Sequence, residues 1–330
     1  MDNLLNRRHF MIASGGVGAA MLIGCSTGGS ASAYPDRDIN FIIPYAPGGG
    51  FDSYARVVID PLAKALPKKV NIVPMNIEGA GGGKATTQLF HARPDGYNIA
   101  IISIPGAIVQ QLIQGKGGGG YDLTQMSWIG NMGTDAFGVA VGANSPIKSI
   151  ADMQALSKRR AVKFTSTGAG STGRAGALIA SKLLGIHSQV ITGYKGTSEY
   201  LVAAARGDGD AAVCSLTAMQ GLARANVIRI IASFEAKSSI PGVQDATALG
   251  QPELTKIAET RPIAAPPNLP KNIQSALSDA LSKALKSHEV TSWAQKNGAN
   301  LVPATPEETL KIVQDQAAFI DRWKDVLVKM

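Results

Sequence analysis

Three glycine-rich stretches hold the residues best placed for chemistry: PGGGFD at 47–52, GAGGGK at 79–84 and GAGSTG at 168–173. Each follows a run that reads as a strand and precedes one that reads as a helix. Glycine lets a ligand approach the main chain, and the N–H groups at a helix start favour an anion. The third stretch contains G-x-G-x-x-G at Gly168, Gly170 and Gly173, the spacing of a dinucleotide pyrophosphate cradle. That unit needs Asp or Glu about 20 residues further on, at the end of the next strand. Here that strand ends ITGYKG, with no acid. The phosphate-loop pattern also fails at Gly83-Lys84, because Ala85 follows the lysine and Glu78 stands where the first glycine belongs. No nucleotide cofactor is expected, and the loops are left to hold some other anion.

Hydrolytic and metal chemistry find no better footing. The four histidines, His9, His91, His187 and His288, make no metal-ligand spacing, and there is no C-x-x-C. No G-x-S-x-G elbow occurs. Ser171 therefore reads as a hydroxyl donor to an anion or as a helix cap. Asp52, opening a helix after PGGGF, reads as a cap or as an acceptor for a ligand amine or hydroxyl. Lys195 could draw a carboxylate or simply stand in solvent. No enzyme activity, metal or cofactor is expected.

The first 33 residues are an export signal by composition. Arg7-Arg8 followed by Phe10 resembles a twin-arginine signal, and the run Phe10 to Gly24 is too short and glycine-rich to span a membrane. Leu22-Ile23-Gly24-Cys25 resembles a lipobox, which would make Cys25 the lipidated N-terminus; Ala31-Ser32-Ala33 is the competing cleavage site. Either route places the mature chain outside the cytoplasm; by the lipobox route a lipid on Cys25 is its membrane attachment, and by the other route Cys25 is lost. Cys214 is the only other cysteine, so no intrachain disulfide is expected, and its apolar run DAAVCSL makes it a buried thiol.

Formal charge is +8, with aromatic residues at 5%. Removing residues 1–24 takes away Arg7, Arg8 and Asp2, leaving 30 basic against 23 acidic side chains and a net charge of +7. That balance suits an anionic ligand, and nucleic acid is not expected, because no basic run is interleaved with aromatic residues. Beyond Cys25 about 300 residues remain, room for two ordinary domains.

These loops must be positioned by the elements that flank them. Strands are expected at 39–46, 70–76, 97–104, 161–166 and 189–194, in DAAVCSL and at 227–234. Helices are expected after each glycine loop, at 150–158, after GYKG and from Pro270. Pro61 predicts a kink or break in the first helix. Gly185 and the glycine after VAAAR should close two helices. GKGGGG at 115–120 reads as a surface loop, and 306–330 as one long amphipathic helix. Repeated strand–loop–helix units imply an α/β fold in two compact lobes, each a mainly parallel sheet covered by helices.

The runs INFIIPYAPGGGFDSYARVV, NIEGAGGGKATTQLFHARPDGYNIAI, FTSTGAGSTG and GYKGTSEYLVAAARGDGDAAV, in this order and spacing, resemble the extracytoplasmic solute-binding receptors of tripartite tricarboxylate transporters, the Bug-type proteins. The resemblance extends from residue 34 to the C-terminus. It implies a two-lobed, Venus-flytrap periplasmic binding protein of type II. The lobes would be 34–140 with 258–330, and 141–257, with crossings near 140–145 and 255–262. It implies a monomer that binds a small organic carboxylate between the lobes and delivers it to membrane permease subunits. The ligand-binding residues it implies are Tyr45, Ala46, Gly48, Gly49, Phe51, Asp52, Gly81, Gly82, Ser103, Thr167, Gly168, Ala169, Gly170, Ser171, Thr172, Tyr194 and Ser215. Ser215 stands where the family carries an acid or amide. Bulk at Gly170 or Gly49 is expected to block binding. The competing readings are an exported enzyme acting on such an acid, and a ligand sensor for a signalling partner.

Overall fold

A computed structural model describes residues 34–115 and 120–328. The stretch expected to be an export signal, with Cys25, and residues 116–119 of the glycine run lie outside the described residues.

The chain begins as three strand–helix units. β1 (Ile39–Ile43) leads to α1 (Gly50–Ala65), and β2 (Ile72–Asn76) leads to α2 (Gly83–Phe90). β3 (Asn98–Ile101) leads to α3 (Gly106–Gln114). The long β4 (Ser127–Gly142) and α4 (Ile150–Ser157) follow. A second set comprises β5 (Val162–Thr165), α5 (Thr172–Leu183), β6 (Ser188–Ile191) and α6 (Thr197–Arg206). β7 (Ala211–Ser215), α7 (Leu216–Arg224) and β8 (Ile228–Ser233) complete that set. The chain returns through β9 (Ala258–Ala265), α8 (Lys271–Leu285) and α9 (His288–Asn297). β10 (Leu301–Ala304), α10 (Pro306–Arg322) and α11 (Lys324–Val328) end it.

The strands hydrogen-bond in the order β2-β1-β3-β9-β4-β7-β5-β6, with β10 and β8 also on β4. β1 lies parallel to β2 and β3, and β5 lies parallel to β6 and β7. All pairings of β4 are antiparallel. β4 joins the two halves, because it changes partner midway. Its pairing with β9 ends at Ala136↔Ala258, and its pairing with β7 begins at Phe137↔Ser215. Two parallel trios therefore flank a shared antiparallel seam. β4, β9 and β10 are not among the expected strands. The run FGVAVG alternates too weakly with glycine to announce a strand, and it is held by partners more than 70 residues away.

The cores follow the periodicity. Tyr54, Val58 and Leu62 of α1 pack with Phe41, Ile43, Ile101, Leu277 and Leu281 under the first trio. Phe164, Val213, Leu178 and Ile179 belong to a second cluster, which also takes in Ile102, Ile104, Phe137 and Val139. Each such side chain contributes about 1.5–3 kcal/mol on burial.

Pro61 does not break α1, which runs through it. The proline costs one ladder bond in the last third of the helix, where packing against α8 holds the turn. Gly207 closes α6 at φ +97, as its position requires. The tail is two helices rather than one, parting at Trp323, whose N–H turns back to the Ile320 carbonyl. At its start the expected Pro-Glu-Glu signal is a full capping box. Thr305 Oγ1 accepts from Glu308 N–H at 3.2 Å, and Glu308 Oε2 accepts from Thr305 N–H at 2.8 Å.

Candidate functional site

The first turns of α1 and α5 open at the two glycine loops. The N–H groups of a first turn have no intrahelical partner, so both loops offer donors to an anion. Ser171 caps α5, accepting from Arg174 N–H at 3.2 Å and donating to the Gly168 carbonyl at 2.8 Å. The cap reading of this serine holds, and its hydroxyl is already committed within its own loop.

The loops from the two halves meet. Gly81, in a short 3-10 turn at Ala80–Gly82 with φ +63, lies against the Gly170–Ser171 peptide. A Cβ built on Gly81 would stand 2.7 Å from Ser171 N and 3.0 Å from Gly170 C. A Cβ on Gly168 would stand 2.9 Å from Gly81 N. A Cβ on Gly170 would overlap the Gln110 side chain of α3. On the other side of the junction, Ser198 Oγ donates to the Gly48 carbonyl at 3.0 Å, and Ala46 lies by Gly196. Gly49 differs from Gly170. A Cβ there would meet only the Ala46 carbonyl at 3.8 Å, so the protein itself offers no clash to a side chain at 49.

Beneath the loops runs a chain of hydroxyls. Tyr45 donates to the Gly81 carbonyl at 2.8 Å, and its oxygen lies 3.1 Å from Ser103 Oγ. Ser103 Oγ lies 3.0 Å from Thr172 Oγ1, which accepts from Gly106 N–H at 2.9 Å. Burial raises the Tyr45 phenol well above its ordinary range, so it is a hydrogen-bond donor at neutral pH. The Tyr45 and Phe51 rings pack 5.0 Å apart, and Gly82 lies against Tyr45. The Thr167 and Ala169 carbonyls accept from Gly193 N–H at 2.7 Å and Arg174 Nη1 at 3.1 Å, which fixes the loop from behind.

Asp52 turns inward. It is 4% exposed, and it accepts from Gly48 N–H at 3.0 Å, Arg56 Nε at 2.8 Å and Asn76 Nδ2 at 3.1 Å. Burial works to raise its pKa, but the bonds from Arg56, Gly48 and Asn76 outweigh it and hold the carboxyl below its ordinary value. It shapes the PGGG loop rather than reaching for a ligand. Asp52→Ala should destabilise the protein by about 2 kcal/mol, the order for hydrogen bonds to a charged group. Calorimetric melting would show the difference in full at neutral pH. The difference should fade as acid protonates the native carboxyl, because a lowered pKa stabilises only above the unfolded value.

Tyr194 is half-buried near Asp208 and Arg206, in the segment whose Gly193 N–H holds the Thr167 carbonyl. Ser215 faces a group that the motifs did not announce: Arg261 Nη2 lies 3.3 Å from Ser215 Oγ. Arg261 is 1% exposed and pairs through Nη1 with Asp135 Oδ2 at 2.8 Å. Its guanidinium lies over the Tyr54 ring at 4.3 Å and the Phe51 ring at 5.1 Å. Asp135 Oδ1 accepts from the Tyr54 hydroxyl at 2.8 Å and Asn300 N–H at 3.0 Å. Glu259 also joins the site and accepts from Ser103. No expected strand covers either residue: Glu259-Thr260-Arg261 lies in β9, buried on both faces between Ala258 and Pro262, and that burial is decided by pairing with β3 and β4. Cys214 is buried as expected, and burial raises its thiol far above the usual range. Among the described residues no cluster of three acidic, histidine or cysteine side chains could hold a metal, and no helix is long and apolar enough to cross a membrane.

Comparison with known proteins gives this geometry a family. A model of the tripartite tricarboxylate transporter family receptor matches residues 54–330. Protein BugT of Bordetella pertussis is 26% identical over 341 residues, covering 99% of this chain and 97% of BugT. A Cupriavidus necator protein encoded in the gbd 5' region is 30% identical over 170 residues, and the match spans about half the length of that relative, 50%, and 51% of this chain. Among solved structures, the periplasmic binding protein BugD superposes with a TM-score of 0.81 at 22% identity, covering 89% of this chain and 99% of BugD. MatC of Rhodopseudomonas palustris with bound malate superposes at 0.79 with 23% identity, covering 89% and 100%. These likenesses show the fold, that of two-lobed type II periplasmic binding proteins. The chain belongs to the tripartite tricarboxylate transporter family of receptors, which bind substrates rather than transform them.

Proposed function

We propose that this receptor closes around a small organic carboxylate at the junction of the glycine loops and presents it to permease subunits in the membrane. The observation that carries this reading is the approach of Gly81 to Gly170–Ser171, main chain against main chain, from opposite halves of the sheet. Amides and hydroxyls positioned in advance hold an anion at little reorganisation cost, and a ligand that touches both halves favours the closed form. The moving lobes in this reading are 34–140 with 258–330, and 141–257. The hinges lie near 140–145, beyond the partner switch in β4, and near 255–262, at the entry to β9. The receptor acts as a monomer, and Cys25 supplies its lipid anchor. Malate bound to MatC supports a carboxylate as the ligand class.

A melting screen with malate, adipate, citrate, benzoate and glutamate tests the ligand. At a concentration 100-fold above Kd a true ligand should add about 2.7 kcal/mol of stability, a rise of several degrees in Tm. No rise with any acid, together with no heat of binding by titration calorimetry, would remove the carboxylate reading.

A further inference from the structure

Ser103 and Thr172 come from opposite halves of the sheet, and both reach the same oxygen. Glu259 Oε1 accepts from Ser103 Oγ at 3.1 Å and from Thr172 Oγ1 at 3.3 Å. Glu259 is on β9, in the seam between the two parallel trios, and its side chain is buried, at 7% exposure. A single carboxyl thus links the hydroxyl chain of one half, Tyr45 and Ser103, to the start of α5 in the other.

The charges around that carboxyl leave it without a partner of opposite sign. Arg261, two residues along the same strand, faces it but is held by Asp135 of β4 at 2.8 Å. The remaining titratable neighbours are Tyr45 of the β1–α1 loop, Tyr54 of α1, Tyr200 of α6 and Cys214 of β7; all stay protonated because burial raises each of them. With Glu259 ionised, two buried carboxylates would share one guanidinium. A ligand carboxylate at the adjacent loops would then bring a third negative charge into low-dielectric surroundings.

We infer that Glu259 carries a proton in the closed cleft: buried where Ser103 of one half and Thr172 of the other meet, with its neighbouring guanidinium held by Asp135, it has too few partners to replace the water an ionised carboxylate needs, so its ionisation draws water into the seam, opens the halves and disfavours an anionic ligand. This deepens the carboxylate-receptor reading above and rests on it. Burial decides the protonation state against the hydroxyl bonds, which by themselves favour the ionised form. Burial pushes the Glu259 carboxyl up to about 8, with Asp135 adding to the rise, against the pull of Arg261 and of the bonds from Ser103 and Thr172. The group is therefore a positioning residue for binding, and its proton is part of the closed state.

The sign of the pH effect follows. A pKa raised on folding gives a stabilisation that is full below the unfolded value and lost as pH rises through the folded one. Binding that needs the proton should keep a level Kd below that point and weaken about tenfold per pH unit above it.

Two measurements on the full chain test this. Titration calorimetry from pH 6 to 9.5 would use whichever of malate, adipate and citrate raises the wild-type Tm most; all are ionised over this range. The wild-type Kd should weaken several-fold or more between pH 7 and 9, and the Kd of Glu259→Gln, whatever its value, should stay level there. Melting of ligand-free protein over the same range should show the wild type losing Tm relative to Glu259→Gln. A wild-type Kd that stays level, or melting curves that run parallel, would overturn the inference, and the wild-type profile decides even if Glu259→Gln fails to fold. If no acid binds the wild type at any pH, the carboxylate reading falls, and the ligand-free melting still decides whether Glu259 carries the proton.

Discussion

Gly81→Ala should abolish tight carboxylate binding while the fold survives. The methyl group would stand 2.7 Å from Ser171 N, inside any real contact distance, and a tight 3.0 Å from Gly170 C, and both atoms are main chain that cannot turn away. The residue also sits at φ +63, where an L side chain costs about 1–2 kcal/mol. Strain alone should lower the melting temperature by about 2–4 °C per kcal/mol, which leaves a folded protein. The clash acts on a different quantity, the distance to which the two loops can close. Holding them apart removes the convergence of donors, and affinity should fall at least about 100-fold, or roughly 2.7 kcal/mol. Calorimetric titration beside far-ultraviolet circular dichroism separates the two effects. A folded Gly81→Ala protein with wild-type affinity would show that the ligand does not bind between these loops. Bulk at Gly170 meets not only the Gln110 amide but Gln110 Cβ at 2.8 Å, an atom fixed to α3, so it too should hold the loop away from its neighbours.

Asp135→Leu should be the most destabilising single change in the seam. It leaves Arg261, 1% exposed, without its counter-charge, and it takes the acceptor from the Tyr54 hydroxyl and from Asn300 N–H. Breaking a buried pair by removing one partner costs about 3–5 kcal/mol, which in a protein of this size lowers the melting temperature by about 10 °C. Removing both charges in Asp135→Leu with Arg261→Met should recover part of the loss, because an apolar pair of similar volume avoids the stranded charge. Recovery stays incomplete, since Tyr54 and Asn300 keep unpaired donors. Scanning calorimetry of the two single variants and the double variant reads the coupling directly. A single variant melting within a degree of wild type would mean that the pair contributes little to the native state.

Much of this protein is written locally. The three glycine stretches, the strand runs before them and the helical spacing after them announce the parallel trios. The Ser171 cap, the Gly207 stop and the Thr305–Glu308 box each need only a few neighbouring residues, so their chemistry is visible in the chain itself. The loops that could bind an anion, and the expectation of no nucleotide or metal, follow from the same short-range patterns. The motif set by itself also resembles that of the receptor family.

Tertiary structure decided the rest. β4 draws its stability from β9, β7, β8 and β10, strands far along the chain, so its glycine-interrupted sequence does not declare it. Asp52 had two readings, and only the arrival of Asn76 and Arg56 turned it into a loop support. Ser103, Thr172 and Glu259 are separated by 69 and 87 residues, and no spacing rule joins them. The proton on Glu259 depends on burial and on Asp135 having claimed Arg261, and both arise only when β4 and β9 pair. Sequence patterns fix which turns can form because turns are local. Which charges lose their water, and which hydroxyls share one oxygen, is settled by packing between distant segments.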